Sequence, residues 1–529
     1  MTQPHAVVLS GGTIVDGTGS PSYRGDVLIE GHRITGVGRV SAPPGAEHVD
    51  VSGHMVAPGF IDMHSHSDLA LLSESVPEVK IRQGITTEVI GQDGTSYAPA
   101  SSEGLAASRE LFAPINGEGE TLDWSWSSVR EFLARFQDIG PNAAYLLPQG
   151  TIRFSVVGAD DRDATPAEID RMCSLVDEGM RDGAFGLSTG LTYPPGAWTP
   201  TDEVVELSRI AGAHGGIYVT HHRDYGDGLS GAIEETLEIG RRADIPVHFS
   251  HFHISGPGRE GRAGEFLAPI EAARASGQRV TLDAYPYTAG CTTLTAFLPD
   301  WLKARSAEAI LAELRDEARR ARIAEELRTG GPGKTAAVGW EDFTVGGAAG
   351  GVADDVRGKR LGEAAQIRGT TLEALICDLL IDSSMRVAVV VFQGHEDNVR
   401  RVLADAEASV GTDGILACGV PHPRGAGTFP RILRYAREGM FSFEEAIKMA
   451  SGRAASTLGI RDRGTIQNGQ AADVVVFDPT SVADTADYVT PTAPPVGIPH
   501  VLVNGKFVVR DSVLTGELPG QVLRPNGGP

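Results

Sequence analysis

The sequence predicts an α/β protein: a (β/α)8 TIM barrel with a small β-sandwich formed by the N- and C-terminal segments. Three observations predict it. Between residues 58 and 463, apolar strand-like runs alternate with helix-like stretches, the order that builds a parallel barrel. Strand-rich blocks flank that region at 1–57 and 464–529, and neither block alone can bury a sheet well, whereas the two together can. The length, 529 residues, exceeds one small core and suits a large barrel plus an accessory domain.

In chain order, the first block reads as short strands at Ala6–Leu9, Thr13–Val15, Asp26–Ile29, Arg33–Val37 and Glu47–Val51, punctuated by Gly11-Gly12, Gly31-His32 and Pro43-Pro44-Gly45. Its counterpart near the other end has Ala472–Phe477 and Val501–Val509. Eight barrel strands are expected at Met55–Asp62, Thr86–Gly91, Asn142–Pro148, Gly183–Ser188, Gly216–Thr220, Pro246–Ser250, Arg279–Ala284 and Ala408–Gly411. Helices are expected at Pro166–Arg181, Thr201–His214, Ser230–Ala243 and Glu396–Ala406, with Asp202 and Glu203 favouring the positive end of the second helix's dipole. The regular spacing breaks between the seventh and eighth strands. Residues from about 299 to 388 read as an insertion on the catalytic side of the barrel, in the position of a lid.

Composition narrows the function. The chain is 41% hydrophobic and 22% charged, ordinary for a globular protein. A net charge of −23 argues against nucleic-acid and anionic-membrane partners. Cys173, Cys291, Cys377 and Cys418 form no CxxC pair, so reduced thiols in a cytoplasmic protein are expected. Met1-Thr2-Gln3-Pro4-His5 opens no signal peptide, and no apolar run reaches transmembrane length.

Catalytic residues of a parallel barrel lie at the C-terminal ends of its strands. Those positions hold His64 and His66, Asp93, His221-His222, His251 with His253, and Asp413. Residues i and i+2 of a strand share a face, so His64 and His66 project together. Histidine and carboxylate recurring at several strand ends describe a divalent metal site, most often zinc.

The chain resembles the amidohydrolase superfamily and, within it, the N-acyl-D-amino-acid deacylases (D-aminoacylases). The resemblance runs over nearly the whole length and rests on Pro58-Gly59-Phe60-Ile61-Asp62-Met63-His64-Ser65-His66, Gln83-Gly84-Ile85-Thr86-Thr87, Gly190-Leu191-Thr192-Tyr193-Pro194-Pro195-Gly196, Asp283-Ala284-Tyr285-Pro286-Tyr287, Gly411-Thr412-Asp413-Gly414 and Pro421-His422-Pro423-Arg424. It implies a zinc-dependent hydrolase, with one or two ions per chain, that splits an N-acyl-D-amino acid into a carboxylic acid and a free D-amino acid. By that resemblance His221 and His251 hold the tighter ion, His64, His66 and Asp413 line the second position, and Asp413 is the general base. The implied partner is a small molecule with an amide and a carboxylate.

The sequence departs from the family in three places. The deacylases usually carry Gly-Asn-Cys-Gly where this chain has Gly91-Gln92-Asp93-Gly94, so Asp93 is expected to replace a thiolate ligand, as a harder donor able to bridge two metals. His253 stands where a lysine commonly grips the substrate carboxylate, and His222 where methionine is usual. The remaining grip is expected from Arg424, with Tyr285, Tyr287, Arg223, His222, His253 and Tyr193 as further substrate contacts. No lysine occurs between Lys80 and Lys303, which removes the carboxylated-lysine bridge of many amidohydrolases. Two other readings stay open: hydrolysis of a different amide (an acylated amine, a cyclic amide or a dipeptide), and a barrel that binds metal without catalysis. Retention of Asp413 argues against the latter.

Overall fold

The computed structural model describes residues 6–73, 78–117, 119, 121–303, 305, 307–331, 338–416 and 422–525. Met1–His5, Cys418 and Pro421, which carried expectations above, lie outside them. Eight parallel strands close a barrel: Phe60–Asp62, Ile85–Ile90, Asn142–Tyr145 with Leu147–Pro148, Gly186–Gly190, Ile217–His221, Val247–Phe249, Val280–Ala284 and Ala408–Val410. The last strand meets the first through Met63 N–H donating to Val410 O at 3.1 Å and a parallel bridge between Ser65 and Gly414. Outer helices cover the barrel at Pro166–Arg181, Thr201–Ala213, Leu229–Ala243 and Glu396–Leu403. Thr165 and Glu168 form a reciprocal capping box at the start of the first of these, with Pro166 at its first position.

The run Met55–Asp62, expected as one strand, is two. Met55–Pro58 belongs to a nine-stranded sheet built from both ends of the chain, where it pairs with Ala6–Ile14 and with Val474–Phe477. That sheet wraps an apolar core containing Leu9, Ile29, Val56, Val474 and Leu502. The break falls at Gly59, where a Cβ would lie 2.2 Å from Thr86 Oγ1 and 2.4 Å from Thr86 Cγ2. The chain changes sheets where its backbone presses directly on the second barrel strand. Gly59→Ala is therefore expected to destabilise the protein by about 1–3 kcal/mol, as overpacking does. The check is the midpoint of urea unfolding; a midpoint equal to the parent's means that Thr86 yields freely.

The insertion is larger than the sequence suggests. Its elements begin at the strand Ala289–Thr293 and end at the strand Val387–Phe392, beyond the expected 299–388 on both sides. Val387–Phe392 lies between Ala289–Thr293 and Phe343–Ala348 in an antiparallel sheet of its own. Helices Ala307–Arg315, Glu317–Gly330, Leu361–Ile367 and Leu372–Asp382 cover it over a separate core that includes Phe297, Trp340, Phe343 and Val389. Cys173, Cys291 and Cys377 are free thiols. Among the described residues, no helix is long and apolar enough to cross a membrane.

Candidate metal centre

Six of the sequence-predicted side chains converge at the C-terminal mouth of the barrel. His64 and His66 follow the first strand, Asp93 the second, His221 ends the fifth, His251 follows the sixth and Asp413 the eighth. All six are buried. Asp93 sits among the four histidines. Its Oδ1 is 3.5 Å from His64 Nε2, and its Oδ2 is 3.7 Å from His66 Nε2, 3.6 Å from His221 Nδ1 and 3.6 Å from His251 Nε2. Asp413 Oδ1 lies 3.4 Å from His66 Nε2 and 3.8 Å from His64 Nε2. His221 Nδ1 and His251 Nε2 are 2.9 Å apart.

This donor set fits a metal. Four ligands at about 2.0–2.1 Å around zinc stand about 3.3 Å from one another, and the spacings above bracket that value. Two groups of buried donors, His64–Asp93–His251 and His64–His66–Asp413, each gather within 4.8 Å. Both ring nitrogens of His64, Nδ1 of His66 and Oδ1 of Asp93 are buried without a hydrogen-bond partner, a state that polar atoms avoid unless another ligand completes them. Burial pulls the His64 pKa down, yet the charges of Asp93, Asp413 and Asp283 overcome it and push it up to about 9. The cluster calls for a cation.

The surroundings fix the orientation of these ligands. His221 Nε2 is 2.7 Å from Thr192 Oγ1, and His251 Nδ1 is 3.2 Å from the Tyr225 hydroxyl, so each ring keeps its other nitrogen for the cluster. Asp283 accepts from the His251 backbone N–H at 2.9 Å. Beneath the site, Lys80 is fully buried and donates to Asp62 Oδ2 at 2.7 Å, Thr412 Oγ1 at 2.6 Å and Ser65 Oγ at 3.1 Å. Thr412 in turn donates to both oxygens of Asp62 at 2.7 Å. This knot ties the end of the first strand to the end of the eighth and sets His64 and His66 against Asp413. Thr192, Tyr225, Lys80 and Asp62 were not singled out from the sequence. Asp93, His251 and Asp413 all have positive φ, at 55°, 33° and 47°, a conformation that non-glycine residues hold only where the surroundings impose it.

The substrate candidates divide. Tyr193, His253, Tyr285 and Arg424 line the cavity over the cluster, together with Tyr225, Gln393 and the apolar Ile115, Phe297, Val391 and Ile415. Arg424 is fully buried, donates from Nη1 to Asp413 Oδ2 at 2.8 Å and from Nη2 to Cys291 O at 3.0 Å, and rests over the Tyr285 ring. Its Nε has no partner. His253 Nδ1–H donates to the His251 carbonyl at 2.8 Å, which leaves Nε2 to accept from the Gln393 amide at 3.4 Å. Burial and the neighbouring His251 push its pKa down to about 3, so it is neutral and has no free donor for an anion.

Three candidates stand apart from the cavity. Arg223 is consumed by Glu235, to which Nε donates at 2.9 Å, and by the Ala197 and Thr199 carbonyls. His222 points away from His221, as neighbours at a strand end do; it is buried against Tyr225, Phe249 and Phe252. Tyr287 lies under Arg431, whose guanidinium is 3.8 Å from the ring centre, and its hydroxyl donates to Pro423 O. None of the three lines the cavity.

The chain matches the amidohydrolase family profile over residues 47–289 and 386–509. It is 37% identical to a D-aminoacylase of Alcaligenes xylosoxydans xylosoxydans over 99% of this chain and 98% of that protein. A D-aminoacylase structure solved for the role of its binuclear metal centre is 35% identical, covers 98% of this chain and all of that one, and superposes with a TM-score of 0.81. An N-acyl-D-glutamate deacylase from Bordetella bronchiseptica, solved with zinc and a phosphonate mimic of the reaction's tetrahedral intermediate, is 32% identical, covers 99% of this chain and all of that one, with a TM-score of 0.83.

Proposed function

The chain belongs to the amidohydrolase family, and on that premise we propose that it hydrolyses N-acyl-D-amino acids with apolar side chains, using one or two zinc ions, to a carboxylic acid and a free D-amino acid. It is a metal-dependent amidohydrolase of the D-aminoacylase type. The observation that carries the reading is Asp93 amid four histidine nitrogens with Asp413 opposite them. His64, His66, Asp93, His221, His251 and Asp413 are the residues that would hold the metal. When bound, zinc lowers the pKa of a water towards about 7 and polarises the amide carbonyl.

The protein's own part follows from position. Asp413 takes the proton of the attacking water as its oxygen adds to the carbonyl carbon. It then delivers that proton to the departing nitrogen as the C–N bond breaks. Arg424, which lines the cavity, orients Asp413 and supplies the positive charge for the substrate carboxylate, with the Tyr285 ring beneath. Arg424 is the sole cation among the described residues lining the cavity, and the rest of its wall includes Ile115, Phe297, Val391 and Ile415. A second carboxylate on the substrate would stay unpaired there. That disfavours aspartate and glutamate derivatives.

The test pairs metal analysis with a substrate panel. Protein purified without added metal is expected to contain about one to two equivalents of zinc, and a chelator is expected to remove activity that zinc restores. N-Acetyl-D-leucine, -methionine and -phenylalanine should turn over, the D-glutamate and D-aspartate derivatives at least about tenfold less well, and the L-forms not at all. A second reading draws on His253, whose two nitrogens are both engaged where the family has a lysine: the substrate carries no α-carboxylate. Silence on every N-acetyl-D-amino acid, with turnover of an acylated amine or a cyclic amide that lacks a carboxylate, would decide for it.

A further inference from the structure

A second, apolar chamber adjoins the metal cavity, and the two share Ile115 and Tyr193 as a common wall. It lies between the helix Ser102–Asn116, the loop around Trp198 and the insertion. Phe112, Phe154, Trp198, Ala296, Ile310 and Met385 are among its walls. The free space inside it is about 130 Å³. The charged residues among its lining, Glu110, Lys303 and Arg305, include two that already have partners: Lys303 donates to Ala296 O at 3.3 Å and Arg305 to Glu313 at 2.7 Å. The lining is otherwise largely apolar, so the chamber offers burial to an apolar guest.

Tyr193 and Ile115 form the partition. Tyr193 stands over His221, with ring centres 4.8 Å apart, and its hydroxyl meets Thr292 Oγ1 at 3.0 Å. That hydrogen bond runs from the loop after the fourth barrel strand to the first strand of the insertion. The metal cluster has two ends, one where Asp413 meets Arg424 and one where His221 lies under Tyr193. A substrate with its carboxylate at Arg424 and its amide over the cluster directs its acyl group to the Tyr193 end.

We propose that this chamber is the acyl subsite, and that the preferred substrates carry aliphatic acyl chains of medium length rather than acetyl. The inference rests on the deacylase reading above and deepens it by naming the acyl half of the substrate. Each methylene moved from water into apolar surroundings favours binding by about fourfold. Differential binding of that kind appears in kcat/KM when it is retained in the transition state.

The experiment compares N-acetyl-, N-butanoyl-, N-hexanoyl- and N-octanoyl-D-leucine. We expect kcat/KM to rise from acetyl to octanoyl by at least about tenfold, a modest share of the full transfer effect. Octanoate should bind the holoenzyme at least tenfold more tightly than acetate in a calorimetric titration. Two variants narrow the chamber from different sides: Ala107→Phe on the helix face, and Ala159→Trp at an exposed position of the rim. Either one that folds should cut the octanoyl-to-acetyl ratio of kcat/KM by at least about tenfold, and both should weaken octanoate. A flat chain-length profile with N-acetyl-D-leucine turned over would overturn the acyl subsite and leave the deacylase reading standing. Turnover of none of the four would instead count against the deacylase reading, and octanoate binding no tighter than acetate would overturn the subsite independently of turnover.

Discussion

Asp413→Asn is expected to lower kcat by about 10³-fold or more while leaving the fold intact, a loss within the range for a general acid–base group. Two features concentrate the effect at one atom. Asp413 Oδ2 is held by Arg424 at 2.8 Å, so Oδ1 is the oxygen that faces His66 and the reacting centre. Burial alone would raise its pKa. Arg424 and the surrounding histidines outweigh burial and hold the carboxyl well below its usual range, so it is ionised. Asparagine keeps the shape and loses that charge. The measurements are kcat on N-acetyl-D-leucine, far-UV circular dichroism and metal content. A variant that keeps more than a tenth of the parent's kcat removes Asp413 from the proton path.

Asp93→Ala is expected to bring the second large loss, and Asp93→Cys to spare most of it. The carboxylate directs one oxygen to His64 and the other to His66, His221 and His251, so its removal strips both halves of the cluster of a shared anionic donor. Loss of zinc affinity should exceed the about 10–100-fold that deleting an outer partner of a ligand brings. Metal content after dialysis should fall together with turnover. Cysteine supplies a softer thiolate at the same place, the residue type the deacylases usually have there, and should keep the metal. It should also reduce stability by about 1–2 kcal/mol, because Asp93 has φ 55° and aspartate tolerates that region better than cysteine. An alanine variant with full metal content would show that the four histidines and Asp413 suffice without it.

Much of the scaffold was legible in the sequence because barrel strands are apolar runs whose last polar residue faces the site. His64, His66, His221, His251 and Asp413 all follow that rule. Their supports do not. Lys80 looks like a surface lysine until the fold lays Asp62, Ser65 and Thr412 around it, and Thr192 and Tyr225 lie in loops whose course no periodicity describes. Arg223 shows the opposite problem: an arginine near a histidine ligand suggests an anion site, but Glu235, on the following helix, already takes it. His222 could have been set aside at once, since adjacent residues at a strand end point to opposite faces. The insertion's true limits were hidden because Ala289–Thr293 and Val387–Phe392 gain meaning as strands only by pairing with each other across their long intervening segment.

The sheet shared by the two ends of the chain has a bearing on how the protein is made. Ala57 lies opposite Val475, a partner far along the chain, so the step that seats the first barrel strand waits for a segment translated much later. Pairings between such distant segments form slowly, because the intervening chain must be ordered before the contact is rewarded. Until then Met55–Pro58 presents an apolar strand with one edge unpaired, the kind of surface through which nascent chains associate wrongly. Pairing of Met55–Pro58 with Val474–Phe477 is thus expected to be a late step of folding.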